Sequence, residues 1–254
     1  MPTLIRFERK WRRVMSGQIR LLSQSLLALA LLFSSALASA EANSLAFSIA
    51  DPDSGEQTHA GEIRVDEVSG LTVREMVFKT VDGDVVQTER VVYDPGTLRV
   101  TEYSKVNKPI GLEEYIESSD DRFTLRRRAK ASKGFDEDTY EWSANEFHPA
   151  VLDALTRRRW DAIRDGGFQF DMFVMQLGKS LEMELVYDGE QTLDGQPVAV
   201  VKLQPTSWVM RKMMPDNAYY YTTGADPVLV RYLGPSHFPA TEQVVVRYAQ
   251  ATSQ

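Results

Sequence analysis

The sequence predicts a mainly β protein: an antiparallel half-barrel or barrel of about ten strands, covered by one long and one short helix. Three observations predict it. Apolar and polar residues alternate with a period of two along most of 61–249, turn-forming pairs separate the runs, and only two segments carry a helical rhythm.

Residues 1–40 read as a cleavable secretory signal peptide. Arg6, Arg9, Lys10, Arg12 and Arg13 precede the apolar "LLALALLF" (26–33), and "ASA" (38–40) supplies the small residues of a cleavage site. The cationic stretch is long, so both Met1 and Met15 stand as starts. Gln24, Ser25, Ser34 and Ser35 interrupt the apolar run, which falls short of the roughly 20 residues a permanent span needs. No cysteine follows the run to carry a lipid anchor. The expectation is export to the periplasm, with 41–254 as a single β-rich domain and no membrane span after cleavage.

The strands follow in order. "GEIRVDEV" (61–68) sets Ile63 and Val65 against Glu62, Arg64 and Asp66. Residues 71–105 read as a three-strand meander, with Asp82-Gly83 and "DPGT" (94–97) as its turns. Strands continue at 112–118 and 122–129, where Arg127 takes the facing of Phe123 and Leu125, and "FDEDTYEW" (135–142) closes this half. In the second half, 168–175 places Phe168, Phe170 and Met172 on one face, and 181–189 alternates Leu181, Met183, Leu185 and Tyr187 with Glu182, Glu184 and Val186. Runs at 197–205, 227–234 and 242–249 complete the set.

Two segments break the period. Residues 148–167, "HPAVLDALTRRRWDAIRDGG", carry the long helix, with Pro149 in its first turn and Gly166-Gly167 at its stop. "TSWVMRKMMPDNAYYY" (206–221) starts as a short helix N-capped by Thr206 or Ser207 and ended by Pro215. On a continuous wheel of about 100° per residue, Val151, Leu152, Leu155, Trp160 and Ile163 form one apolar stripe. Arg157 and Arg164 lie outside it, Arg158 sits at its edge, and Arg159 falls in its middle. An arginine there either snorkels to the rim, pairs with Glu141, Glu182 or Glu184, or holds an anionic head group at a cavity mouth. Trp160 is an edge plug or a stacking platform.

Composition narrows the function. Net charge is −7 and the leader is basic, so the remainder is more acidic still; nucleic acid is not an expected partner. Cysteine is absent, which removes disulfides, thiol catalysis and thiolate metal sites. His59, His148 and His237 are isolated, and no serine elbow, P-loop or dinucleotide motif occurs. The acidic "DPDSGE" (51–56) lacks the distal glutamate of a calcium loop. No catalytic residue, metal or cofactor is therefore expected. Large adaptable apolar side chains do gather locally: Met172 and Met183 around one hairpin, and Met210, Met214, Tyr219 and Tyr221 around the short helix. They fill a core or line a flexible site for an apolar ligand. Arg159, Trp160, Phe168, Phe170, Met172, Met183, Met210, Met214, Tyr219 and Tyr221 are the candidate ligand-binding residues.

"WDAIRDGGFQF", "LEMEL", "LQPTSWVMRKMM", "VRYLGPS" and "VVVRY" together resemble a family of exported proteobacterial β-rich proteins of unknown function. The resemblance spans roughly 150–250 and implies the open barrels of periplasmic lipoprotein carriers and lipocalin-like binders, with no catalytic residue. The expected function is a non-enzymatic envelope binder of a lipid-like, apolar or amphipathic molecule. The alternative is a structural or assembly partner of another envelope protein, and a hydrolase using paired carboxylates stands third.

Overall fold

Side chains that alternate between an apolar inner face and a polar outer face draw fifteen strands into one sheet. The structure, a computed structural model, describes residues 44–212, 214–215, 217–235 and 243–249. The leader read at 1–40 and His237 lie outside the described residues. The first half supplies β1 (Ser44–Ala50), β2 (Gln57–Val68), β3 (Leu71–Thr80), β4 (Val85–Tyr93) and β5 (Val100–Asn107). It continues with β6 (Leu112–Ser119), β7 (Arg122–Arg128) and β8 (Asp136–Glu141). The second half supplies β9 (Glu146–Phe147), β10 (Phe168–Val174), β11 (Lys179–Leu193) and β12 (Gln196–Pro205). It ends with β13 (Ala218–Thr222), β14 (Leu229–Pro235) and β15 (Gln243–Tyr248).

The strand order is β8-β7-β6-β5-β4-β3-β2-β1-β15-β14-β13-β12-β11-β10-β9. Two meanders are thus joined where β1 pairs antiparallel with β15, Phe47 opposite Tyr248 and Ile49 opposite Val246. Backbone pairing leaves the sheet open between β8 and β9. Side chains bridge that opening. Phe173 of β10 meets Phe123 of β7 edge-on at 4.8 Å and Tyr140 of β8 at 5.0 Å between ring centroids.

Fifteen strands replace the expected ten or so, and three of them fall where no strand was read. "SLAFSIA" of β1 alternates weakly because its polar positions hold small residues. β9 is two residues long, and the "YYY" of β13 has no polar position to reveal a period of two. The meander of 71–105 stands as expected. Gly83 takes φ 93° in the β3–β4 turn, where Gly83 N–H donates to the Thr80 carbonyl at 3.0 Å.

The long helix is broken. A 3-10 turn, Pro149–Val151, leads into α1 (Leu152–Arg158), and α2 (Trp160–Gly166) follows after a kink at Arg159, with φ −101° and ψ 17°. The Thr156 hydroxyl donates back to the Leu152 carbonyl at 2.9 Å, a kind of bond that often bends helices. Arg159 is exposed and takes no place in the buried stripe. Val151, Leu155 and Ile163 are at most 1 % exposed, each burial worth roughly 1.5–3 kcal/mol. They join one core with Val91, Tyr103 and Ile116 of the first half and Phe170, Met183 and Tyr221 of the second. The short helix α3 (Trp208–Arg211) buries none of its residues, so it is not a cover. Ser207 makes no capping bond, and the Thr206 hydroxyl donates to Glu182 Oε2 at 2.9 Å instead.

Candidate functional site

Directly opposed residues of an antiparallel pair share a face, so pairing register determines what lines the inside. Around α1 and α2 the inner face is filled. Trp160 meets Tyr221 edge-on at 5.4 Å, and Trp160, Phe170, Met183 and Tyr221 are 7, 1, 0 and 0 % exposed. Phe168 stacks on Phe170 at 6.1 Å, and Met172, Met214 and Tyr219 pack partly buried against the same core. These residues are brought together, as packing. Arg159 and Met210 stand apart from them. The Arg159 guanidinium lies 5.0 Å from the Phe168 ring, a cation–π contact on the surface rather than a carboxylate pair. Glu184, one carboxylate considered for it, takes Arg211 at 3.5 Å.

A different part of the inner face is hollow. An apolar, half-open groove of about 470 Å³ lies where the two meanders join, within the roughly 300–1,000 Å³ typical of small-molecule sites. Phe47 and Ile49 of β1, Met76 and Phe78 of β3, and Tyr232 of β14 line it with Val244, Val246 and Tyr248 of β15. Pro109 and Ile110 of the β5–β6 turn also contribute. Its polar lining comes from Thr58, His59, Gln87 and Asn107, the last two joined by a 2.8 Å hydrogen bond. Phe47 and Phe78 meet edge-on at 5.1 Å.

Gly61 makes room for Phe47. A Cβ at this position would lie 2.2 Å from the Val77 carbonyl oxygen and 2.3 Å from Phe47 Cζ. Gly61→Ala is expected to destabilise the domain by about 1–3 kcal/mol and to push Phe47 into the groove. A lowered denaturant midpoint together with weaker binding of a naphthylamine dye would show both effects.

One row inward, the groove gives way to charge. Met76 stands opposite Glu89, Glu89 opposite Lys105, Lys105 opposite Glu114 and Glu114 opposite Arg127, so one inner row crosses five strands. Arg74 pairs with Glu89 at 3.5 Å and Arg127 with Glu114 at 3.1 Å. Glu114 is fully buried, and that desolvation, only partly countered by Lys105 and Arg127, raises its pKa. Tyr103, just beyond this row, is also raised, by burial first and then by Glu89. Burial likewise raises Tyr248 on the groove wall, while the Arg74 charge acts on its hydroxyl in the opposite sense. Two atoms of this layer, Arg74 Nε and Glu114 Oε2, have no hydrogen-bond partner among the described residues. Buried polar atoms without partners are costly, and they mark places where water or a polar group binds.

Among the described residues no three His, Asp or Glu side chains gather to hold a metal. The 51–56 turn has a structural explanation: Asp51 Oδ1 accepts from the Asp53 and Ser54 amides and the Ser54 hydroxyl, at 3.0, 2.7 and 2.9 Å. No protein-family model matches this chain, and no curated protein or solved structure matches it significantly.

Sequence reasoning centred on the helices and missed the groove. A signal was present: Phe47 and Ile49, and Val244, Val246 and Tyr248, are large inner-facing residues on strands that no helical segment was available to cover.

Proposed function

We propose that this domain is a non-enzymatic binder of a lipid-like, apolar or amphipathic molecule, exported to the periplasm by the leader at 1–40. The observation that carries the reading is the apolar groove between β1, β3, β14 and β15, with a polar row beneath it. Affinity comes from removing acyl-like surface from water, at about 25 cal/mol per Å² before the costs of association. Of the helix-side candidates, Trp160, Phe168, Phe170, Met172, Met183, Met214, Tyr219 and Tyr221 serve in this reading as packed core, and Arg159 and Met210 take no part. The resemblance of 150–250 to exported β-rich proteins supports the same assignment.

The assembly alternative draws less support from the edges. β8 carries Asp136, Glu137, Asp138 and Glu141, and β9 is two residues long; charge and brevity are devices that discourage strand addition. Organic extraction of protein purified from the cell envelope, followed by mass spectrometry, is expected to release a lipid. Val246→Glu, which puts a charge in the groove wall, is expected to release none. Ligand-free wild-type protein whose melting temperature ignores added lipids would overturn the assignment.

A further inference from the structure

The geometry points to a ligand with one anionic head group, held at the groove's inner end by Lys105, and a chain lying along the groove. This inference rests on the binding function proposed above and adds the head-group chemistry. Three cations, Arg74, Lys105 and Arg127, share the inner layer with two carboxylates, Glu89 and Glu114. Each arginine has a carboxylate, at 3.5 and 3.1 Å. Lys105 stands between both carboxylates in register, yet among the described residues it forms no ion pair.

The layer thus holds three cations against two carboxylates, an excess of one positive charge that a matching anion offsets. Arg74 Nε is a second donor without a partner in the same layer. Wall and neighbouring layer thus differ in kind: aliphatic and aromatic side chains from Phe47 to Tyr248 for a chain, and, two residues along β5 from the groove-lining Asn107, Lys105 in a layer with one excess positive charge for its end. A neutral lipid would leave that excess positive charge in place, and a cationic amphiphile would add like-charge repulsion. Carboxylates and phosphates both supply the required anion.

The test is calorimetric titration of the whole protein with four single-chain probes: dodecanoate, dodecyl phosphate, dodecanol and dodecyltrimethylammonium. At least one anion is expected to bind ten times more tightly than dodecanol, and the cation more weakly than either. The stronger of the two anions identifies a carboxylate or a phosphate head. Lys105→Met is expected to bring the anion-to-alcohol ratio to about one, and Lys105→Arg to restore it, with far-UV circular dichroism reporting that both fold. The wild-type comparison needs no variant, so a folding failure would leave the test intact. Equal binding of anion and alcohol, or tighter binding of the cation, sinks the head-group assignment while leaving the groove. Failure of all four probes to bind defeats the binding function itself.

Discussion

Phe173→Ala is expected to lower the unfolding free energy by about 3–5 kcal/mol, the range for deleting a buried phenylalanine. The ring is 2 % exposed and fits against Phe123 at 4.8 Å, Tyr140 at 5.0 Å and Trp142 at 6.2 Å. Phe123 itself stacks on Trp142 at 4.0 Å. β8 and β10 are not neighbours in the hydrogen-bonded order, so this aromatic group closes the sheet where backbone pairing stops. Truncation removes both buried area and the closure. Chemical denaturation reads the first as a lower midpoint. Faster amide exchange in β8 than in β5 reads the second. A loss below about 1 kcal/mol, outside the range for such deletions, would mean that the seam depends on something else.

The second large effect depends on pH. His148 is 2 % exposed, its Nδ1 accepts from the Ala150 amide at 3.1 Å, and its ring lies 4.4 Å from that of Tyr103. Burial first, then the positive charges of Arg74 and Lys105, holds its pKa down to about 3. An unfolded histidine titrates near 6.5. Above that value neither state takes a proton, and the neutral ring costs nothing. Between about 6.5 and about 3 the unfolded chain takes a proton that the folded ring refuses, so stability falls as pH falls. The slope approaches about 1.4 kcal/mol per pH unit, or several kcal/mol across the window. Glu114 works in the opposite sense: its raised pKa makes its charged form a penalty that disappears with acid. His148→Asn can keep a helix-capping acceptor without the titration. Its stability is expected to fall less steeply than that of the wild type between pH 7 and 4, measured by urea unfolding at each pH. Parallel curves would refute the assignment to His148.

The periodic strands were legible because one inward and one outward residue per pair leaves a mark within a few positions. The helix was legible in extent but not in direction. Arg159 falls in the apolar stripe only if the helix is continuous, and the non-helical backbone at Arg159 that interrupts it leaves no clear signal in composition. The inner charged row was not legible. Glu89, Lys105, Glu114 and Arg127 look like ordinary solvated alternation on their own strands, and only the register of three strand pairs sets them side by side on a covered face. Arg127 came nearest, since its inward facing follows from Phe123 and Leu125, but its partner Glu114 lies on another strand.

The seam between β1 and β15 bears on the order of assembly. Most strands pair with neighbours in sequence and can zip up locally as hairpins, whereas the second edge of β1, beyond β2, must wait for β15 at the far end of the domain. That single closure carries most of the loop entropy and sets the pace of folding. Two groove walls, Phe47 with Ile49 and Val244 with Val246, sit on those two strands, so a half-made chain has no pocket to offer. A guest that occupies the groove favours only the finished molecule.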